Sequence, residues 1–330
     1  ELVFDGASFA LSREGELMNQ LPLFKEALGI VTIENGDARR GEIAPERPLE
    51  AEVYDALCLG VRDYVGKNGF PGVLLGLSGG IDSALTLAVA VDALGADKVR
   101  AVMMPSQYTA SISREDARAQ AEALKVRYTE IAIKPVFDTF LAALAAEFEG
   151  LAQDTTEENL QSRIRGTLLM ALSNKGGSIV LTTGNKSEMG TGYATLYGDM
   201  AGGFGVLKDI SKMMVYRLAN YRNGISPVIP RRVITRPPSA ELRPNQVDQD
   251  SLPPYEVLDA IMEAYVEHNR GPREIEAAGF TRNDIERVIH LLRISEYKRR
   301  QAPIGIRITP RGFGKDWRYP ITNKYRHQGE

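Results

Sequence analysis

Cysteine is nearly absent from this chain. Its 330 residues contain one, Cys58, which excludes a disulfide-stabilised scaffold because a bridge needs a pair. No run of about 18 apolar residues occurs, so we expect no membrane-spanning helix. The 40 basic and 43 acidic side chains give a net charge of -3, which argues against a nucleic-acid partner. With 43% hydrophobic residues, the chain can bury a core, and we expect a globular, cytoplasmic protein.

From residue 49 onward, strand patterns alternate with helix patterns. The short apolar runs, each typical of a buried parallel strand, are residues 73–77, 99–104, 128–133 and 178–183. Ser113 is expected to cap one intervening helix, and Thr155 with Glu158 another. The fold class predicted is α/β: an open parallel sheet with helices on both faces. Two further helical patterns, 255–269 and 282–298, predict a helical extension at the C-terminal end.

The first residues have a different pattern. Residues 1–29 carry turn signals and alternating apolar residues that predict a β-hairpin, and residues 30–48 are polar and predict a linker. An isolated hairpin is only marginally stable, so we expect residues 1–29 to be the remnant of an upstream domain. Residues 49–330 then form the main domain.

The segment Leu77-Ser78-Gly79-Gly80-Ile81-Asp82-Ser83 follows the first buried strand and opens a helix. Paired glycines let backbone N–H groups approach a ligand closely, and a helix N-terminus favours anions. Asp82 would repel a phosphate unless it binds a magnesium ion that holds the phosphates. The plain alternative is a simple strand–turn–helix junction. The segment lacks the lysine of GxxxxGK[ST] and is not GxGxxG; it resembles the pyrophosphate loop (SGGxDS) of the ATP pyrophosphatase superfamily.

A second segment, residues 181–199, begins Leu-Thr-Thr-Gly-Asn-Lys-Ser-Glu-Met-Gly-Thr-Gly-Tyr. Read with residues 158–166, 296–303 and 313–318, it resembles the NAD synthetase family, and the likeness extends from about residue 49 to 323. The resemblance implies a Rossmann-like ATP pyrophosphatase fold and amidation of deamido-NAD with ATP and ammonia through an adenylated intermediate, releasing AMP and pyrophosphate. The opening hairpin resembles the end of the nitrilase-type glutaminase domain that precedes the synthetase in glutamine-dependent members.

The resemblance also assigns roles to individual residues. Asp82 and Glu188 are expected to bind Mg²⁺. Catalytic roles fall to Asp82, Glu188, Asp199 and Lys212. ATP binding falls to Gly76, Leu77, Ser78, Gly79, Gly80, Ile81, Asp82, Ser83, Thr183, Lys212 and Ser239. Deamido-NAD binding falls to Asn159, Arg163, Glu188 and Lys298.

Without the family, most of these residues have ordinary explanations. Glu188 would be an exposed acid in the first turn of a helix, and Thr183 a strand-end hydroxyl in a local bond. Lys212, placed three residues into the helix predicted over 209–221, would be an idle surface lysine. Asp199 would be a turn residue. The stretch 236–241, which contains Ser239 and matches a mobile phosphate loop of the family, would be a stiff linker.

Two other functions fit the same loop. One is a tRNA-modifying ATP pyrophosphatase with the basic C-terminal tail as its RNA contact; the other is a nucleotide sensor without catalysis. Cys58 has apolar helical neighbours and is expected to be core rather than nucleophile, so no glutaminase site is expected here. The partners that the resemblance implies are a glutaminase domain and a second copy of the chain in a homodimer.

Overall fold

The computed structural model describes residues 2–244, 246, 248–250 and 252–322. The predicted first hairpin is confirmed: β1 (Phe9–Leu11) pairs antiparallel with β2 (Leu17–Gln20). A second, unpredicted hairpin joins β3 (Ile33–Glu34) to β4 (Asp37–Ala38). Its turn is Asn35-Gly36, both at positive φ (53° and 76°), the pairing that a two-residue hairpin turn requires.

A five-stranded parallel sheet forms the centre of the molecule. Its strands are β5 (Val73–Gly76), β6 (Val99–Met103), β7 (Arg127–Glu130), β8 (Ile179–Thr182) and β9 (Phe204–Gly205). They lie in the order β7-β6-β5-β8-β9, and every neighbouring pair is parallel. The α/β fold class is therefore confirmed.

Helices cover both faces of this sheet. In chain order they are α1 (Leu49–Lys67), α2 (Ile81–Leu94), α3 (Ser111–Ala123), α4 (Lys134–Leu144), α5 (Thr155–Gly176), α6 (Lys186–Thr191), α7 (Lys212–Ile225), α8 (Arg231–Thr235), α9 (Tyr255–Met262), α10 (Pro272–Ala277), α11 (Arg282–Ile294) and α12 (Glu296–Arg299). One apolar core joins α1, α2 and α7 to the sheet, and another joins α4 and α5 to it. A third core lies between α6, α9, α10 and α11, as expected for a C-terminal helical extension.

Three local predictions were wrong by a few residues. Ser113 lies inside α3 rather than at its cap. The capping box of α5 is formed by Asp154 and Glu157, one position before the predicted pair, because Asp154 offers an equally suitable carboxylate. Lys212 is the first residue of α7 rather than the third, since the Ser211 side chain accepts a hydrogen bond from Met214 N and fixes the start.

The proline-rich stretch 225–254 contacts the domain through several of its described residues. It contains α8 and a 3₁₀ turn, Asp248–Asp250. Within the described part of the chain, no helix is long and apolar enough to cross a membrane.

Candidate active site

A cavity of about 280 Å³ opens at the carboxyl ends of β5, β6 and β8. Parallel sheets bind ligands at this edge because the strand ends leave a crevice between the connecting loops. The two sequence motifs meet here: residues 76–78 and 80–83 form one wall, and residues 181–184 with Glu188 form another. Residues 238–242 and 248 of the proline-rich stretch close the cavity from the side.

Gly79 shapes the first wall without lining the cavity. Its φ is +81°, and a Cβ there would lie 2.2 Å from Ser113 O of α3. Only glycine fits both constraints. Ser83 Oγ donates to Gly80 O at 3.0 Å and accepts from Ser78 N at 3.1 Å, so the turn is closed by its own side chains ahead of any ligand.

Asp82, Glu188 and Lys212 come together from three different helices. Lys212 Nζ lies 2.5 Å from Asp82 Oδ2 and 3.9 Å from Glu188 Oε1. Asn185 joins the two acids: its Nδ2 donates to Asp82 Oδ1 at 2.9 Å and its backbone N donates to Glu188 Oε2 at 3.1 Å. The carboxylates are thus held rigidly although they are about one-fifth exposed to the cavity (18% and 19%).

The electrostatics of this cluster leave a deficit of positive charge. Burial and the neighbouring Asp82 raise the pKa of Glu188 well above its usual value. Burial by itself would lower the pKa of Lys212, but Asp82 and Glu188 outweigh it and raise that pKa. Lys212 therefore stays protonated, and a single ammonium group faces the carboxylates.

A third carboxylate at this site was missed by sequence reasoning. Asp248 accepts from Tyr255 OH at 2.8 Å and from Tyr193 OH at 3.4 Å, and burial raises its pKa. It lies in an aperiodic proline-rich stretch, so no pattern marked it. Asn185 was missed as well, although its position as helix cap three residues before Glu188 is a recognisable signal.

Asp199 also lines the main cavity. Its Oδ1 accepts from Thr195 N at 2.6 Å, and its own N–H donates to Ser162 Oγ at 2.9 Å. Asp199 faces the cavity, and part of its surface is accessible to solvent. The protein atoms around its carboxyl group nevertheless desolvate it, which raises its pKa to about 6.

A second, much smaller cavity of about 10 Å³ adjoins the first. Glu188 and Asp199 line both cavities. Its other walls are mainly apolar, with Met189, Met200 and Pro303 among them. A space of this size holds about one water-sized molecule.

Of the four residues expected to bind deamido-NAD, Glu188 lines the main cavity, whereas the other three lie around a single turn outside its lining. Asn159 Oδ1 accepts from Thr195 Oγ1 at 2.8 Å, and Arg163 Nε donates to Leu196 O at 3.2 Å. Lys298 Nζ donates to Gly192 O and Ala194 O, both at 2.8 Å. The structure therefore brings the three side chains to residues 192–196, beside the Glu188 helix.

Of the remaining sequence-predicted residues, Thr183 and Ser239 both line the main cavity. Ser239 Oγ donates to Gln246 O at 2.5 Å. Nearby, Glu241 accepts from Ser113 Oγ at 2.5 Å and from Ala110 N at 3.2 Å. These contacts attach the proline-rich stretch to the start of α3, beside the glycine turn.

The Asp82–Glu188 pair suits a hard cation such as Mg²⁺, whose preferred ligands are carboxylate oxygens. Burial and then the neighbouring Asp82 raise the pKa of Glu188, and a divalent cation between the two carboxylates would favour their ionised forms. Among the described residues, no group of three or more His, Cys, Asp or Glu side chains could hold a metal ion. Substrate oxygens would therefore be needed to complete the coordination of such a cation.

Comparison with known protein families identifies the family of this chain. The family model described as NAD synthase matches residues 53–302. The chain belongs to the NAD synthase family. The resemblance expected from the two motifs is thereby confirmed, and the matched range includes Asp82, Glu188, Asp199 and Lys212.

Individual relatives agree. The chain is 54% identical over 330 residues to the glutamine-dependent NAD(+) synthetase of Acinetobacter baylyi, covering 99% of this chain and 61% of that relative. It is similar to the solved glutamine-dependent NAD+ synthetase of Acinetobacter baumannii in complex with ADP (52% identity, TM-score 0.70, 97% of this chain and 59% of that one). An NMN synthetase from Francisella tularensis is also similar (26% identity, TM-score 0.63, 74% of this chain and 92% of that one). The chain thus spans about three fifths of the length of the two Acinetobacter proteins.

Proposed function

We propose that this chain converts deamido-NAD to NAD, using ATP and ammonia and releasing AMP and pyrophosphate. The observation that carries the proposal is the convergence of Asp82, Glu188 and Lys212 beside a glycine turn that opens a helix. Family membership supports the product, and the ADP complex of the Acinetobacter baumannii relative supports binding of an adenine nucleotide.

In the first step, a carboxylate oxygen of deamido-NAD attacks the α-phosphorus of ATP. The bond between the α-phosphorus and the bridging oxygen breaks, and pyrophosphate leaves. The first N–H groups of α2, which have no acceptor within the helix, and the Lys212 ammonium stabilise the charge that develops on pyrophosphate. Asp82 and Glu188 would hold a magnesium ion, which, when bound, neutralises phosphate charge.

In the second step, ammonia attacks the carbonyl carbon of the adenylate, the bond to the AMP oxygen breaks, and nitrogen loses a proton. The small cavity between Glu188 and Asp199 has the size for one ammonia molecule. Asp199 is the group placed to orient ammonia or take its proton, because its pKa of about 6 lies close to the working pH of a general base.

Asn159, Arg163, Glu188 and Lys298 are proposed to bind deamido-NAD. Arg163 is exposed, and Lys298 is half-buried with its ammonium group on the turn at 192–194. This cationic flank lies beside the Glu188 helix, where an anionic dinucleotide would bring its carboxylate toward the ATP cavity. Ser239 and Thr183 are proposed to contact ATP from the cavity walls.

Ammonia rather than glutamine is proposed as the direct nitrogen donor of this chain. A glutaminase of the nitrilase type needs a reactive cysteine. Cys58, the chain's one cysteine, is buried, and its burial raises the pKa of its thiol to about 12, so the nucleophilic thiolate is scarce at neutral pH. We propose that residues 1–29 belong to a glutaminase domain, that residues 30–48 are a linker, that residues 49–330 form the synthetase domain, and that the synthetase works as a homodimer or larger homo-oligomer in the cytoplasm.

The substrate is tested by measuring pyrophosphate release from ATP in the presence of deamido-NAD, nicotinate mononucleotide or tRNA. We expect release with deamido-NAD. Release with the mononucleotide alone would favour the NMN synthetase activity for which the Francisella tularensis protein is named. Release with tRNA alone would favour the tRNA-modifying alternative. ATP binding without any release would leave the nucleotide sensor.

A further inference from the structure

The N-terminus of α7 is unusual in the origin of its hydrogen-bond partners. The first N–H groups of a helix have no acceptor within the helix. Here Lys212 N donates to Ser187 Oγ at 2.9 Å, and Met213 N donates to Asp259 Oδ2 at 2.8 Å. Met214 N donates to Ser211 Oγ at 3.4 Å. Two of the three acceptors thus come from other helices, α6 and α9.

Those two acceptors are themselves joined. Ser187 Oγ donates to Asp259 Oδ1 at 2.5 Å, and both side chains are buried, with exposures of 0% and 7%. Asp259 therefore connects α9, in the C-terminal helical extension, to the first residues of both α6 and α7. Because the network lies away from water, losing one of its hydrogen bonds would leave a buried polar group unpaired, which is costly.

This network fixes the positions of two groups in the candidate active site. Lys212 is the first residue of α7, and Glu188 follows Ser187 on α6. The distances from Lys212 Nζ, 2.5 Å to Asp82 and 3.9 Å to Glu188, depend on how the two helix starts are held together. A lysine at a helix N-terminus also faces the positive end of the helix dipole, which the Asp259 carboxylate offsets.

We propose that Asp259 is a positioning residue for the proposed reaction, acting through Ser187 and the start of α7 to hold Lys212 against Asp82 and Glu188. The proposal rests on the function proposed above. It differs from simple helix capping in one respect: the effect of losing Asp259 must disappear when Lys212 is absent.

The test uses Asp259→Asn, which keeps the size of the side chain but removes its charge and one acceptor, and Ser187→Ala as a second variant. For each we expect kcat of pyrophosphate release to fall by about tenfold or more, since small misplacements of a reacting group are costly. KM for deamido-NAD should change less than kcat, because Asn159, Arg163 and Lys298, which are also proposed to bind that substrate, make their contacts at residues 192–196. Thr281→Ala is the control: it removes the solvent-exposed side-chain cap at the start of α11 and should lower Tm without changing kcat.

A binding cycle separates this inference from the proposed function. ATP affinity is measured by calorimetry for wild type, Lys212→Ala, Asp259→Asn and the double variant, so that no turnover is needed. We expect Lys212→Ala and Asp259→Asn each to weaken ATP, and the double variant to match Lys212→Ala. Additive losses, or a lower Tm with unchanged kcat in both Asp259→Asn and Ser187→Ala, overturn the positioning role. Absence of pyrophosphate release by wild type would instead overturn the function, while the binding cycle still decides the role of Asp259.

Discussion

Glu188 is a residue whose ionised form opposes folding. Burial and Asp82 raise its pKa above the usual value, so the folded chain binds this proton more tightly than the unfolded chain does. The folded state is therefore favoured most below the unfolded pKa, near 4.5, and loses that stability as the pH rises through the folded pKa. A group kept in such an unfavourable place is a candidate for function rather than structure.

Glu188→Gln should therefore increase stability while abolishing turnover. We expect an increase in the free energy of unfolding of about 1 kcal/mol at pH 8, which shrinks toward pH 5 because wild-type Glu188 then carries its proton. Calorimetric Tm at both pH values and pyrophosphate release measure the two effects. Glu122→Gln, an exposed acid on α3, is the control and should change neither. A lower Tm at pH 8 would contradict the electrostatic account.

The raised pKa of Asp199 predicts an acidic limb in the pH profile of NAD formation. If its carboxylate takes the proton from nitrogen, the rate of NAD formation should fall as the pH drops below about 6, its pKa, because the protonated acid cannot act as a base. Asp199→Asn should be slow at every pH and lack this limb. ATP–pyrophosphate exchange, which reports the first step alone, serves as the internal control and should persist in the variant. An unchanged limb in Asp199→Asn would assign it to another group.

The glycine turn between β5 and α2 allows a prediction at the scale of the secondary-structure element. Gly79 has a φ of +81°, and an added Cβ would lie 2.2 Å from Ser113 O, whereas at Gly80 the nearest atom is Ser78 Oγ at 3.3 Å. Gly79→Ala should cost at least about 1–2 kcal/mol for the left-handed conformation alone, and ATP binding should be lost. Gly80→Ala is the matched control and should keep its Tm. Thermal unfolding and ATP calorimetry compare the two; equal effects would show that the Gly79 conformation is not required.

The elements themselves were largely predictable, and their exact starts were not. Short apolar runs such as residues 73–77 predict central parallel strands, because helices cover both faces of such a sheet and the side chains on both faces are therefore apolar. The prediction of helix caps failed where two neighbouring residues are both suitable. Asp154 and Thr155 could each cap α5, and the sequence alone does not decide between them. The β3–β4 hairpin was missed because Asn35-Gly36 lies in a polar segment without the alternating apolar residues that usually accompany such a turn.

The same limit applied to the candidate site. Asp82 and Glu188 could be found because they lie within contiguous motifs that follow strands. Asp248, Tyr255 and Asp259 come from parts of the chain about 60 or more residues after Glu188. Tertiary packing brings Asp248 to the cavity, Tyr255 to Asp248 and Asp259 to Ser187. No local pattern records such a contact, so the sequence predicted the acid pair but not the residues that support it.

At the scale of the whole molecule, one buried lysine holds distant parts of the chain together. Lys186 Nζ lies 2.9 Å from Asp209 and 2.8 Å from Glu267, and it donates to Thr309 Oγ1 and Arg311 O. Lys186 has an exposure of 1%. The sheet edge, the turn after α9 and the C-terminal segment therefore share one charged centre.

Lys186→Met should consequently destabilise the protein by about 3–5 kcal/mol, because it leaves two buried carboxylates without their cation. Urea denaturation measures the loss. Lys67→Met is the control: Lys67 is exposed and paired with Asp63 on the surface of α1, so its loss should cost at most about 0.5 kcal/mol. A loss of similar size in both variants would contradict the role assigned to the buried centre.

The most direct test of the whole account is formation of NAD by this chain from deamido-NAD and Mg-ATP, with ¹⁵N-labelled ammonium or amide-labelled glutamine as the nitrogen source. We predict labelled NAD, with one AMP and one pyrophosphate released per NAD, from ammonium and none from glutamine. Failure to form NAD from ammonium by a folded chain that binds ATP would contradict the proposed synthetase. NAD labelled from glutamine would contradict the claim that ammonia is the direct donor.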